Sequence, residues 1–156
     1  MRGTIVITRC AGEAQFAAIL ALVHETFGNL TPPSGALNET LTDVAARFKA
    51  GPVLIAQDGG ALVGCLYCAL KDGGLYLTRM TVKPDRQKQG IGRALLKAAE
   101  AEARILGATK LTLRVRVNLP ENRAYFERAG FAVTGQGQDP GRPLYDAMER
   151  PLALIV

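Results

Sequence analysis

The stretch "RQKQGIGRALL", Arg86 to Leu96, sets Gln87, Gly90 and Gly92 immediately ahead of a helical run, and that arrangement makes an anion seat. Ile91, Leu95, Leu96, Ala99, Ala103 and Leu106 recur at mostly three- and four-residue intervals, with Lys97, Glu100, Glu102 and Arg104 filling most of the other face. Free N–H groups and aligned peptide dipoles concentrate positive potential where such a helix starts. Glycine removes the side chains that would hold a phosphate off the backbone. An isolated Gly-x-Gly also serves merely to shape loops, so the surroundings decide.

Other residues carry chemistry singly. His24, the only histidine, falls late in an N-terminal helical run beside Glu25 and is a candidate base, because imidazole titrates near neutrality; a hydrogen-bonded structural role is the alternative. Glu39 caps or pairs on a second helix, or binds a cationic amine. Cys65 and Cys68 in "CLYC" read as two packed thiols. Three residues apart on a strand they face opposite sides, and no second ligand pair accompanies them, so no metal site is expected.

The elements that must position these groups follow from pattern and composition. With 156 residues and 48% hydrophobic content, residues 1–156 are expected to form a single domain with a sizeable core. Three cysteines and the lack of a basic-then-apolar leader after Met1 point to a reducing, cytoplasmic setting. No apolar run approaches the roughly 20 residues of a membrane span, so no membrane partner is expected. Residues 79 to 156 hold 14 basic and 8 acidic side chains, against 5 and 6 in residues 1 to 78, which makes the C-terminal half the anion-facing one. A basic nucleic-acid-binding protein would show the same excess, yet only 6% aromatic residues and no Trp leave little for base stacking.

Along the chain, "TIVITR" (Thr4 to Arg9) reads as a strand, and Glu13 to Phe27 and Ala36 to Ala50 read as helices about the Gly/Pro loop "GNLTPPSG". "PVLIAQ", "ALVGCLYCAL" and "GLYLTRMTVK" are three strands joined by the hairpin turns "DGG" and "KDGG". After the helix from Gly90 come the strand "KLTLRVRV" and a short helix with Pro120 at its start and Gly130 as its stop. The strands "FAVTGQ" and "LYDAME" close the chain around "GQGQDPGR". The sum is a mixed α/β (α+β) fold: an antiparallel meander followed by one strand-helix-strand unit with parallel strands. An anion site belongs where that crossover helix begins.

Taken together, "MTVKPDRQKQGIGRALL", the strand "LTLRVRV" and "NRAYFERAGF" resemble the GCN5-related N-acetyltransferase (GNAT) superfamily. That family's phosphate-loop pattern matches Gln87, Gly90 and Gly92. Its strand ending in Val-x-Pro matches Val82 and Pro84, and its closing helix into Gly-Phe matches Gly130 and Phe131. A dinucleotide-binding loop would need a small residue at Leu95 and an acidic one ending the next strand, and a nucleoside-triphosphate loop would need Gly-Lys-Ser/Thr; neither is present.

The resemblance implies a mostly antiparallel mixed sheet of about seven strands flanked by about four helices, with one parallel crossover. It implies an acetyl-CoA-dependent N-acetyltransferase that moves the acetyl group from the thioester to the primary amine of a small molecule or peptide. A non-catalytic acyl-CoA-binding module is the alternative. The amides of Lys88, Gln89, Gly90, Ile91, Gly92 and Arg93, with Gln87, would seat the pyrophosphate, and Arg86, Lys88, Arg93 or Lys97 would lie near the 3′-phosphate. The backbone of Met80, Thr81 and Val82 would pair with pantetheine, and Asn118, Asn122 and Phe126 would line the same path. The family's frequent glutamate base aligns with Thr78 or Arg114, and its tyrosine acid with Phe126. Tyr125 is thus a displaced candidate acid, one residue and about 100° of helix away. The first helix, "GNLTPPSGALNET" and "GQGQDPGR" are expected to wall the acceptor and offer few charges. The apolar tail "PLALIV" suits a homodimer.

Overall fold

The computed structural model describes residues 4–28 and 35–153. Strand β1 (Ile5–Arg9) leads through a 3-10 turn at Glu13–Gln15 into helix α1 (Phe16–Phe27), and a second 3-10 turn (Gly35–Asn38) precedes α2 (Leu41–Ala50). Three strands follow, β2 (Val53–Asp58), β3 (Ala61–Lys71) and β4 (Gly74–Val82). The crossover helix α3 (Ile91–Ile105) then feeds β5 (Lys110–Arg116), and α4 (Pro120–Arg128), β6 (Ala132–Gly137) and β7 (Tyr145–Pro151) complete the chain. Most of "GNLTPPSG" (29–34) and the end of "PLALIV" (154–156) lie outside the described residues.

The second helix begins at Leu41 rather than Ala36. Thr40 accepts a bond from the Asp43 amide while its own amide donates to the Asp43 carboxylate (2.8 Å), a capping box that fixes the start. Helix capping therefore falls to Thr40 and not to Glu39.

The strands form one sheet in the order β1-β2-β3-β4-β5-β7-β6. All neighbours run antiparallel except β4 and β5. Asp72 and Gly73 connect β3 to β4 at φ 51° and 78°, the left-handed pair that a two-residue hairpin turn with the sheet's twist requires.

Each face of the sheet has its own core. The apolar stripe of α3 (Ile91, Leu95, Leu96, Ala99, Ala103) packs with Leu75, Leu77, Leu111, Leu113 and Val115 on one face. On the other, Phe16, Ile19 and Val23 of α1 and Val44 of α2 pack with Val53, Ile55 and Tyr67. Strand alternation accordingly sends Cys65 to the α1/α2 face and Cys68 to the α3 face, both as free thiols.

Burial pushes the Cys65 and Cys68 thiols up from 9.0 to about 12. A thiol held protonated by the fold contributes its full stability below the unfolded value and loses it as pH rises through the folded one. Urea midpoints are therefore expected to fall between pH 9 and 12, and to fall less steeply in a Cys65→Ala/Cys68→Ala variant measured in parallel.

Candidate active site

Helix α3 starts without a side-chain cap. Gly90, its N-cap, takes the left-handed conformation at φ 85°, which a side chain would strain. The first bond into this turn runs from the Ala94 amide to the Gly90 carbonyl (3.0 Å). The amides of Gly90, Ile91, Gly92 and Arg93 are thus left as the helix's four orphan donors. A Cβ on Gly92 would stand 2.7 Å from the Tyr125 hydroxyl and 3.4 Å from the Met80 Cε, so only glycine lets those groups close over the turn.

The preceding loop is pinned rather than loose. Gln87 donates its side-chain amide to the Val82 carbonyl (3.2 Å), and Arg86 bonds both Gln89 (3.0 Å) and Asp58 (2.9 Å). Arg86 is therefore committed to Asp58, which leaves Lys88, Arg93 and Lys97 as the cations at the seat that have no ion pair among the described residues. Lys88 itself is left-handed at φ 63°.

The strand leading to this loop separates from its parallel neighbour. β4 and β5 pair only at Gly74↔Lys110, Leu75↔Leu111 and Tyr76↔Thr112. From Leu77 to Val82 the edge of β4 toward β5 has no strand partner among the described residues. On the β3 side the register jumps from Cys65↔Thr81 to Tyr67↔Thr78, so Arg79 and Met80 together oppose Leu66 in a bulge. Arg79 takes φ 53° there, and its carbonyl accepts from the Thr81 hydroxyl (2.7 Å). Behind it, buried Glu39 lies 3.5 Å from the Arg79 Nε and accepts the Tyr67 hydroxyl at 2.9 Å. Burial, and then the Glu39 charge, push the Tyr67 phenol well up, so it stays a donor.

The gap between the strands opens into a cleft of about 510 Å³. Met80 of β4, Leu113 and Val115 of β5, and Asn122 and Phe126 of α4 line it. So do Thr78 and Arg114, the two positions where the family resemblance puts a glutamate. Asn118 sits in the turn after β5 and is not among the lining residues. Tyr125 is also outside the lining: it packs edge-on to Phe126 with its hydroxyl over Gly92. Burial raises the Tyr125 phenol, opposed by Arg93 and Arg128. His24 hydrogen-bonds the Glu39 carbonyl (2.9 Å) and does not line the cleft.

The cleft is charged although the segments expected to wall the acceptor offer few charges. Arg47, Arg79, Arg114, Arg116 and Arg142 all line the cleft. Only Arg142 belongs to a segment that sequence reasoning assigned to its walls. Alternation on β5 was the available signal, because it points Arg114 and Arg116 away from the core residues Leu113 and Val115.

Fold and cleft define a class, and comparison with known proteins names it. The chain belongs to the acetyltransferase (GNAT) family, whose model matches residues 17–131. It is 37% identical over 117 residues to the IAA acetyltransferase of Azospirillum brasilense, 73% of either chain. The ribosomal-protein-S18-alanine N-acetyltransferase of Escherichia coli shares the fold with a TM-score of 0.79 at 19% identity, over 98% of this chain and 97% of that one. The PaiA N-acetyltransferase of Thermoplasma acidophilum, solved in complex with coenzyme A, gives 0.77 at 17% identity, over 95% and 99%. The protein is an N-acetyltransferase.

Glu39 ties the Arg79 bulge to α2 and the sheet. Glu39→Gln keeps an acceptor for Tyr67 but removes the buried charge that faces Arg79, and is expected to lower unfolding stability by about 1–3 kcal/mol. Urea denaturation of the two proteins at neutral pH measures this.

Proposed function

We propose that this enzyme transfers the acetyl group of acetyl-coenzyme A to the primary amine of a small molecule or peptide by direct attack. One observation carries the reading: four orphan amides at the uncapped start of α3 adjoin a stretch of β4 with no strand partner, which runs into the cleft. Acetyl-coenzyme A supplies the activated acetyl thioester.

The amides of Gly90 to Arg93, with Gln87, Lys88 and Gln89 in the loop before them, suit the pyrophosphate. The exposed backbone of Met80, Thr81 and Val82 suits the amides of pantetheine, as an added strand would. Asn122 and Phe126 border that path, with Asn118 at the end of β5. A backbone amide at the Arg79–Met80 bulge suits the negative charge that develops on the thioester carbonyl oxygen.

The acceptor's nitrogen lone pair forms the new C–N bond as the C–S bond breaks. The sulfur leaves with the electron pair, and the proton shed by nitrogen balances the one that sulfur takes up. Phe126 occupies the position facing the cleft and cannot donate a proton, while the Tyr125 hydroxyl is turned to the α3 start. We assign the proton transfer to water. His24, bonded to a backbone carbonyl, holds Glu39 in place and is not the base. Free thiols and a cytosolic cosubstrate fit a cytoplasmic site of action.

Thiol release from acetyl-CoA across a panel of amines tests the activity, and the three buried cysteines keep the protein's own thiols out of that readout. Gly92→Val should weaken coenzyme A binding by roughly 10-fold or more in calorimetry while the protein remains folded, because the added methyls force the Tyr125 hydroxyl and Met80 off the seat. Unchanged affinity in a folded variant would count against the seat. Tyr125→Phe should leave turnover within about threefold of wild type, whereas a true general acid contributes about 100-fold or more. A loss of that size with coenzyme A affinity intact makes Tyr125 the acid.

A further inference from the structure

Glu39 is tethered from several elements at once. Its amide donates to the Ala36 carbonyl (3.2 Å), and its carbonyl accepts from the His24 ring (2.9 Å). Its carboxylate accepts the Tyr67 hydroxyl from β3 and faces the Arg79 Nε from β4, at 2.9 and 3.5 Å. The capping box at Thr40 fixes the residue that follows it. Only 4% of the side chain is exposed. Burying a carboxylate is costly, and well-packed apolar residues in its place often serve stability as well or better, so stability by itself does not account for this group.

The tether reaches a strained stretch of the cleft wall. Among the described residues the non-glycine residues with left-handed φ are Asp72, Arg79 and Lys88, and of these only Arg79 lies inside a strand. Such a conformation persists where surrounding groups impose it, and strain of this kind collects at working sites. Here it fixes the plane of one peptide. The Arg79 carbonyl is held at 2.7 Å by the hydroxyl of buried Thr81. A trans peptide is planar, so the Met80 N–H points the opposite way from that carbonyl. Arg79 and Met80 both line the cleft.

The Arg79 side chain is the second handle on this peptide. Its Nε is buried and donates no hydrogen bond, so the facing Glu39 carboxylate holds it by charge. Removing that charge while keeping the side chain's shape therefore releases the handle and leaves the packing around it.

Resting on the proposed acetyl transfer, in which a bulge amide faces the thioester carbonyl, we infer that Glu39 is a positioning residue for catalysis. Acting through Arg79, and itself held by Tyr67, it keeps the Met80 N–H aimed where the oxyanion develops. The carbonyl oxygen gains negative charge as the amine adds, and a donor aimed there in advance needs no rearrangement during the reaction. A misplacement of about 1 Å costs on the order of 100-fold in rate. Glu39 does not line the cleft and acts only through the bulge.

Glu39→Gln in the full chain tests this, with Phe16→Leu as a control that weakens the same α1/α2 layer at the Phe16–Phe48 ring contact. With an amine that supports thiol release, Glu39→Gln should lower kcat roughly 10-fold or more while coenzyme A affinity stays within about threefold, and Phe16→Leu should leave kcat in place. Tyr67→Phe frees one carboxylate oxygen and should act in the same direction less strongly; it decides the matter if Glu39→Gln does not fold. Infrared spectra of bound acetyl-CoA, isotope-labelled at the thioester carbonyl, read the amide without any acceptor. The carbonyl band should rise in frequency in Glu39→Gln, as its hydrogen bond weakens, and stay in place in Phe16→Leu. An unchanged kcat or an unchanged band in folded Glu39→Gln, or an equal effect of Phe16→Leu, overturns the inference and leaves acetyl transfer standing. If no amine releases thiol, a band that still responds to Glu39→Gln upholds the positioning role while the amine-transfer reading fails. Failure of acetyl-CoA to bind removes both.

Discussion

The rest of the molecule depends on β4 and β5 holding together for only three residue pairs. Parallel strands exchange evenly spaced bonds along their length, so a pair that stops at Tyr76↔Thr112 leaves the peptide groups that face the gap beyond it without ladder partners, while the outer edges stay paired with β3 and β7. Buried backbone groups left that way are costly, so such a gap persists where something else bonds them. Its two walls are kept apart by elements that cannot relax inward. Leu95, Leu96 and Ala99 of α3 fill the space behind β4, and Phe126 and Phe131 stack edge-on behind β5. The cleft is thus a consequence of packing on either side rather than of a missing side chain.

The bulge in β4 acts at the same point from the other edge. Two residues opposite one bend the strand and put Arg79 at φ 53°, a conformation that an arginine adopts only when its surroundings impose it. Glu39 and Tyr67 supply that imposition. The Tyr67 hydroxyl satisfies one carboxylate oxygen and Arg79 approaches the other, so a charge that is almost fully buried has both partners it needs. His24 extends the arrangement by holding the Glu39 carbonyl from α1. The one histidine and the one buried glutamate of this face therefore serve to fix a backbone kink in the cleft wall.

Local signals in the chain were sufficient for what is local. The 3.6-residue stripe of α3, the Asp72-Gly73 turn and the alternation that separates Cys65 from Cys68 depend on neighbours within a few positions. The start of α2 was readable in principle, since Thr40 and Asp43 stand at capping-box spacing. The apolar Ala36 and Leu37 ahead of them extend the periodic pattern and hide the boundary, and the fold spends them in a 3-10 turn. The arginine cluster was not legible in this way. Arg47 and Arg142 are 95 positions apart, and only the sheet order β4-β5-β7 brings α2 and the β6–β7 loop to one cleft. The orientation of Tyr125 needed the structure for a similar reason: one residue of helical rotation decides between the cleft and the α3 start.

Under the proposed acetyl transfer, the arginines that line the cleft bear on the state of the attacking amine. Attack requires a neutral amine, and the positions where relatives in this family often carry a glutamate base hold Thr78 and Arg114. A carboxylate beside the nucleophile stabilises its ammonium form and must then take the proton away. Guanidiniums do the reverse, since positive neighbours disfavour a second positive charge and shift the amine toward its neutral state before any base acts.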